Sequence, residues 1–209
     1  MLFSRRWERY LTSPSQRRAS LERATNETKI TVDLSLDGGE VSAETGIPFF
    51  DHMLDQLGRH AHLGFVVKAN GDLDIDAHHT VEDTGILLGE ALTEALGDKR
   101  GIRRYGDALV PMEEALAQVA LDISGRPLLV YEAEFPVDSV GQYDTVLTEE
   151  FLQALARAAG LTLHVRLLTG RNAHHMVEAI FKSVARALGD AVTLDPRAGD
   201  SVRSTKGVL

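Results

Sequence analysis

The chain has 209 residues, 44% of them hydrophobic and 25% charged, with no cysteine and a formal net charge of −9. That length supports a substantial core, and the absence of cysteine excludes disulfides and every thiolate-held zinc, haem or iron–sulfur group. The acidic balance argues against nucleic acid as a partner, and no apolar run approaches the ~20 residues of a membrane span; a cytoplasmic protein is the starting expectation.

The chain begins against its own charge trend. Residues 1–20 carry Arg5, Arg6, Arg9, Arg17 and Arg18 against Glu8, a local +4 that leaves −13 for the rest. The stretch lacks the apolar segment of a secretory signal. Its Arg and Ser content also suits an organelle transit peptide, but a short, flexible or partner-facing extension is the preferred reading. Glu27 then precedes the alternating strand ITVDLSLDG. FDHMLDQLGRHAHLGF, Phe50–Phe65, follows with His52, His60 and His62; the last two read as surface or helix-end residues. Next comes Ala77-His78-His79-Thr80-Val81-Glu82, which runs into Leu88, Ala91, Leu92, Ala95 and Leu96 at helical spacing.

GDKRGIRRYG, with Lys99, Arg100, Arg103 and Arg104, is a polar break, and beyond it the text repeats. Glu114 precedes LAQVALDISG at the same distance from its glycine as Glu27 from its own, and Arg126 sits in the turn that follows. Thr148–Leu163 aligns with Phe50–Phe65 so that Glu150 falls opposite His52. His164, in the alternating stretch LTLHVRLL, reads equally as an inward core histidine or a ligand. Ala173-His174-His175-Met176-Val177-Glu178 repeats the AHHxVE string 96 residues later, ahead of Ile180, Phe181, Val184 and Leu188. This is a tandem duplication with its seam near Gly97–Gly106. It divides the chain into an extension (1–20), a first half (21–100) and a second half (101–209). Each half reads strand, strand, helix, strand, helix.

On a helix, His78 and Glu82 share a face, as do His174 and Glu178. Adjacent histidines point roughly a hundred degrees apart, so one pair does not readily chelate one ion. Two copies therefore suggest two metals, each drawing ligands from both halves or from neighbouring subunits, with His52 and Glu150 each able to add one more. A helix start with Glu in its first turn explains one such string; it does not explain two with the same flanks. A mixed His/Glu set leans toward Mn or Fe over tetrahedral zinc. In an acidic body, three basic spots near turns suit an anionic small substrate: Lys99, Arg100, Arg103 and Arg104 together, Arg126, and a tail with Arg203, Ser204, Thr205 and Lys206. No phosphate-loop, dinucleotide or GxSxG fingerprint is present.

Together RATNETKITVDLSLDG, IPFFDHMLDQLGRHA, DAHHTVEDTGILLGEAL, MEEALAQVALDISGRP, RNAHHMVEAIFKSVARAL and STKGVL resemble imidazoleglycerol-phosphate dehydratase, from about Arg23 to Leu209. The resemblance implies an α+β fold of two tandem similar halves, each a four-stranded sheet packed with helices (ribosomal S5 domain 2-like). It implies a hydro-lyase of histidine biosynthesis that dehydrates D-erythro-imidazole glycerol phosphate to imidazole acetol phosphate. Two Mn(II) ions per active site are implied as well, and self-association through trimers into a 24-subunit shell. Carried over by position, His52, His78, His79, Glu82, His174, His175 and Glu178 match metal-ligand motifs. Glu150 stands where many members place a further ligating histidine, and the internal repeat supports it as a carboxylate substitute. Glu27 matches the active-site glutamate, whereas Arg104, Arg126, Ser204, Thr205 and Lys206 match substrate-binding positions, the last three gripping phosphate in the C-terminal tail. On residues alone, a dinuclear hydrolase of phosphate esters and a non-enzymatic metal-storing shell protein remain rival readings.

Overall fold

The computed structural model describes residues 17–207 and 209. The first half contains β1 (Arg18–Ala24), β2 (Thr28–Ser35), β3 (Val41–Glu44), α1 (Pro48–Ala61), β4 (Gly64–Gly71) and α2 (His78–Leu96). The second contains β5 (Tyr105–Met112), β6 (Ala115–Asp122), β7 (Leu128–Glu132), β8 (Ser139–Val140), β9 (Tyr143–Asp144), α3 (Leu147–Ala159), β10 (Thr162–Thr169) and α4 (Ala173–Val192). The two main sheets have the same connectivity, β1-β2-β4-β3 and β5-β6-β10-β7. In each, the last pairing is parallel and the others antiparallel. The fold is α+β with two similar halves, and the short β8–β9 hairpin is an addition to the second.

Alternation places one face of each sheet inward. Thr28, Ile30, Val32 and Leu34 of β2 are buried while their neighbours are not, and Ala115, Ala117, Val119 and Leu121 of β6 do the same. Each main sheet holds one strand more than its sequence pattern reveals. The added β3 and β7 are only four and five residues long and have no alternating buried face, so periodicity does not mark them. Residues 1–16 of the expected extension lie outside the described residues. Its end is not extension: Arg18–Ser20 opens β1 against β2, and Arg17 donates to Asp37 and to the Val192 carbonyl.

Helices join the halves. α2 packs on β1 and β2 of its own sheet and on α3 of the other half; α4 packs on β5 and β6 and on α1. Phe50 of α1 meets Phe151 of α3 edge-on at 5.3 Å, and Phe151 stacks on Phe181 of α4 at 5.5 Å. These three buried rings make one core of the two sheets' contents. Both helix pairs run parallel, with glycines at the closest approach. A Cβ on Gly189 would lie 2.5 Å from the Ala61 carbonyl oxygen, and one on Gly85 2.8 Å from that of Phe151.

Candidate active site

The two histidine pairs open α2 and α4 because a polar side chain two residues upstream accepts an otherwise unpaired N–H. Asp76 accepts from the His78 amide at 2.8 Å, and Asn172 from the His174 amide at 3.0 Å. Within each pair the rings lie 6.1 Å apart and nearly perpendicular, at 86° for His78–His79 and 82° for His174–His175. Adjacent rings therefore face different directions, as the helical geometry requires.

Parallel packing of α1 on α4 brings His52 to the start of α4. Ligand atoms of His52, His174 and Glu178 all lie within 4.8 Å of one another, the one such three-residue cluster among the described residues. Glu178 Oε2 is 3.2 Å from His174 Nε2 and 3.7 Å from His52 Nε2, while its Oε1 accepts from Lys182 at 2.7 Å. Burial works against the Glu178 carboxylate, but Lys182 and the two imidazoles outweigh it and hold its pKa below the ordinary value. Lys182 carried no signal in the repeat, since its equivalent in α2, 96 residues earlier, is Ile86.

The repeat-related set is more open. His78 Nε2 is 3.9 Å from Glu82 Oε2, with both side chains half-exposed. Glu150 lies in the first turn of α3, the helix packed on α2, and is partly buried. It does not close a three-ligand cluster with His78 and Glu82.

His79 and His175 engage other carboxylates through Nδ1. Asp72 lies 3.0 Å from His79 Nδ1 and raises that ring's pKa. Glu114 lies 2.8 Å from His175 Nδ1 and also accepts from the Arg171 and Asn172 amides. These hydrogen bonds, His175 first, hold the Glu114 carboxyl down at about 2. Glu27, the repeat partner of Glu114, stays 3.9 Å from His79 Nδ1 with half of its side chain exposed. The alignment of Glu27 with Glu114 was the available signal for Glu114; Asp72 has no counterpart in the repeat and gave none.

Arg104, Arg126, Ser204, Thr205 and Lys206 line one open cleft, joined by Tyr105 and Arg203. Arg104 forks onto Asp122 at 2.7 and 3.0 Å and donates to the Arg203 carbonyl, in a left-handed backbone conformation (φ 73°). Arg126 is largely exposed and only 3.9 Å from Asp122. The tail is anchored by buried Asp195, which accepts from Arg197 and Arg203 and is held at about 2, chiefly by Arg197.

This cleft and the His175 end lie far apart along the β5–β6 hairpin. Tyr105 pairs with Asp122 at the cleft end and Met112 with Ala115 at the other, beside Glu114. Seven residue steps separate them, or ~23 Å at the usual strand rise. His164 points outward from β10 and is exposed, which removes its core reading, and it is not part of the three-residue His/Glu cluster; the neighbouring Leu163 and Val165 take the inward positions. His60 falls in the last turn of α1 and His62 caps it, both exposed.

Fold and site together define an α+β protein of two similar halves whose His/Glu cluster, built across those halves, is compatible with metal binding. The imidazoleglycerol-phosphate dehydratase family model matches residues 45–188. A relative of that name from Ruegeria pomeroyi is 57% identical over 194 residues, covering 92% of this chain and all of its own. Another from Symbiobacterium thermophilum is 57% identical over 196 residues, 93% and 94% of the two chains. The crystal structure of the dehydratase from Pyrococcus furiosus aligns with TM-score 0.79 at 38% identity over 90% of this chain and 100% of its own. That from Staphylococcus aureus gives 0.76 at 40% identity over 84% and 98%. The chain belongs to the imidazoleglycerol-phosphate dehydratase family.

Proposed function

We propose that the chain dehydrates imidazole glycerol phosphate to imidazole acetol phosphate in histidine biosynthesis, in the cytoplasm, with two Mn(II) ions per active site. The observation that carries this reading is the meeting of His52 with His174 and Glu178 from the opposite half. A donor set of imidazoles and a carboxylate, with no thiolate, fits Mn(II). His52, His174 and Glu178 would hold one ion; His78, Glu82 and Glu150 would hold the other. When bound, the metal supplies Lewis acidity toward a substrate ring nitrogen.

The chain's own groups do the rest. Arg104, Arg126, Ser204, Thr205 and Lys206 bind the phosphate and fix the substrate chain, turning binding energy into orientation. The Glu27 carboxylate takes the proton from carbon and returns one toward the departing hydroxyl. His79 and His175 face away from their neighbours' ions and serve a second copy of the chain. That arrangement also answers the ~23 Å between the basic cleft and His175, a span larger than a six-carbon phosphate ester. The assembly proposed is the trimer-built shell of 24 subunits.

Product detection with imidazole glycerol phosphate, with and without added Mn(II), tests the reading. Ketone should form only with metal, and His174→Ala should lose metal and turnover together. Full turnover by metal-stripped protein, or release of inorganic phosphate in place of ketone, would overturn it.

A further inference from the structure

The duplication is not symmetric around its second pair of histidines, and the asymmetry separates two tasks. His79 and His175 are repeat equivalents, and so are Glu27 and Glu114. In the second half Glu114 is fully committed. Its Oε1 accepts the Arg171 and Asn172 amides at 3.0 and 2.8 Å, and its Oε2 accepts His175 Nδ1–H at 2.8 Å. In the first half the corresponding role falls to Asp72, at 3.0 Å from His79 Nδ1, and Glu27 remains 3.9 Å away.

A difference in loop length explains the exchange. Six residues, Asp72–Ala77, separate β4 from His78, whereas four, Gly170–Ala173, separate β10 from His174. The shorter loop, Gly-Arg-Asn-Ala, contains no carboxylate. The longer one begins with Asp72. Among the described residues, no backbone amide donates to the Asp72 side chain, and no side chain other than His79 does.

We infer that Glu114 and Asp72 are positioning residues that fix His175 and His79 as Nδ1–H tautomers with Nε2 free to ligate, and that Asp72, by taking over this work, releases Glu27 for chemistry. The inference rests on the metal-ligand reading of these histidines given above. A carboxylate on the distal nitrogen orients a ligating imidazole and raises its basicity. Which nitrogen carries the proton follows from the partner that the other nitrogen meets.

The chemistry of Glu114 allows a sharp test. In Glu114→Gln the two loop amides keep the carbonyl oxygen, so the new NH2 group faces His175 Nδ1. That nitrogen must then accept, and the ring proton moves to Nε2, where it blocks ligation. An isosteric change should therefore weaken Mn(II) binding by about 10- to 100-fold, at least as much as Glu114→Ala. Asp72→Asn should be milder, because nothing else fixes which way its amide faces. Glu27→Gln should leave Mn(II) affinity and both tautomers as they are while lowering turnover.

The measurements are Mn(II) titration followed by electron paramagnetic resonance, and long-range 1H–15N correlation of histidine-labelled, metal-free full chain at alkaline pH. Wild-type His79 and His175 should both appear protonated on Nδ1, and this holds as a test even where a variant fails to fold. A wild-type His175 protonated on Nε2, or wild-type Mn(II) affinity in folded Glu114→Gln, overturns the inference. Neither readout uses substrate. A wild-type chain that binds Mn(II) but forms no ketone would sink the proposed reaction and leave the positioning role standing.

Discussion

Gly189→Ala sets helix propensity directly against packing. Gly189 is interior to α4, where alanine alone should stabilise by about 0.8–1.0 kcal/mol. Its Cβ, however, would lie 2.5 Å from the Ala61 oxygen and 3.0 Å from that residue's carbonyl carbon and Cα. All three are backbone atoms, so no rotamer change clears the space. Restoring an ordinary contact of about 3.4 Å requires α1 and α4 to part by roughly 0.9 Å, an overpacking distortion of the kind that costs about 1–3 kcal/mol. Because backbone meets backbone, the upper figure applies, and the net is a loss of about 2 kcal/mol. For a chain of this size that lowers Tm by about 4–8 °C. The metal-free chain should be melted at fixed concentration, so that neither ion binding nor self-association contributes to the shift. The same parting draws His52 away from His174 and Glu178, so Mn(II) affinity should fall as well. An unchanged or raised Tm would show that α1 and α4 are not held at this distance.

Arg126→Ala should raise KM about 10- to 100-fold, the value of one charge-assisted hydrogen bond to phosphate, with Tm unchanged, because its side chain is largely exposed. Arg104→Ala should raise KM and also lower Tm, since it strips Asp122 of its fork and the tail of an anchor; equal melting temperatures for the two variants would refute this distinction. The Asp195 carboxyl is held at about 2, below its ordinary value. A group depressed on folding contributes above its unfolded pKa of about 3.9 and loses that contribution as pH falls through the folded value. Hydrogen exchange of the C-terminal tail should therefore be flat from pH 8 to about 5 in rate-corrected terms and rise between about 4 and 2. Tail release already at pH 5 to 6 would mean that Asp195 is not its anchor.

Much of this molecule could be read from its sequence because the message is written twice. The AHHxVE strings, the offset of His52 onto Glu150 and of Glu27 onto Glu114 each compare the chain with itself, and each pair falls on equivalent elements of the two sheets. Periodicity found β2 and β6 because one of their faces is buried and the other is not. The same signal missed β3 and β7, edge strands whose residues are half-buried or exposed with no alternation, and it placed β1 partly in the basic extension. It left His164 undecided, since an alternating pattern alone does not say which set of alternate residues faces in. Lys182 and Asp72 escaped for a different reason: each depends on one half alone, so self-comparison is blind to it.

The remaining tension in the composition is that the proposed function asks a −9 chain to hold both divalent cations and an anionic substrate. Geometry separates the two demands. Carboxylates cluster where α2 and α4 begin, with Glu27, Asp72, Glu82, Glu114 and Glu178 beside the histidines. The cationic residues Arg104, Arg126, Arg203 and Lys206 gather at the other end of the β5–β6 hairpin. Each end thereby suits its own ligand, since an anion placed among those carboxylates would be repelled and a cation among the arginines likewise. The separation has a consequence for the proposed reaction. With ~23 Å of strand between the basic cleft and His175, a small molecule does not span both within one chain, so the proposed reaction would need the basic cleft of one copy to face the His175 end of another.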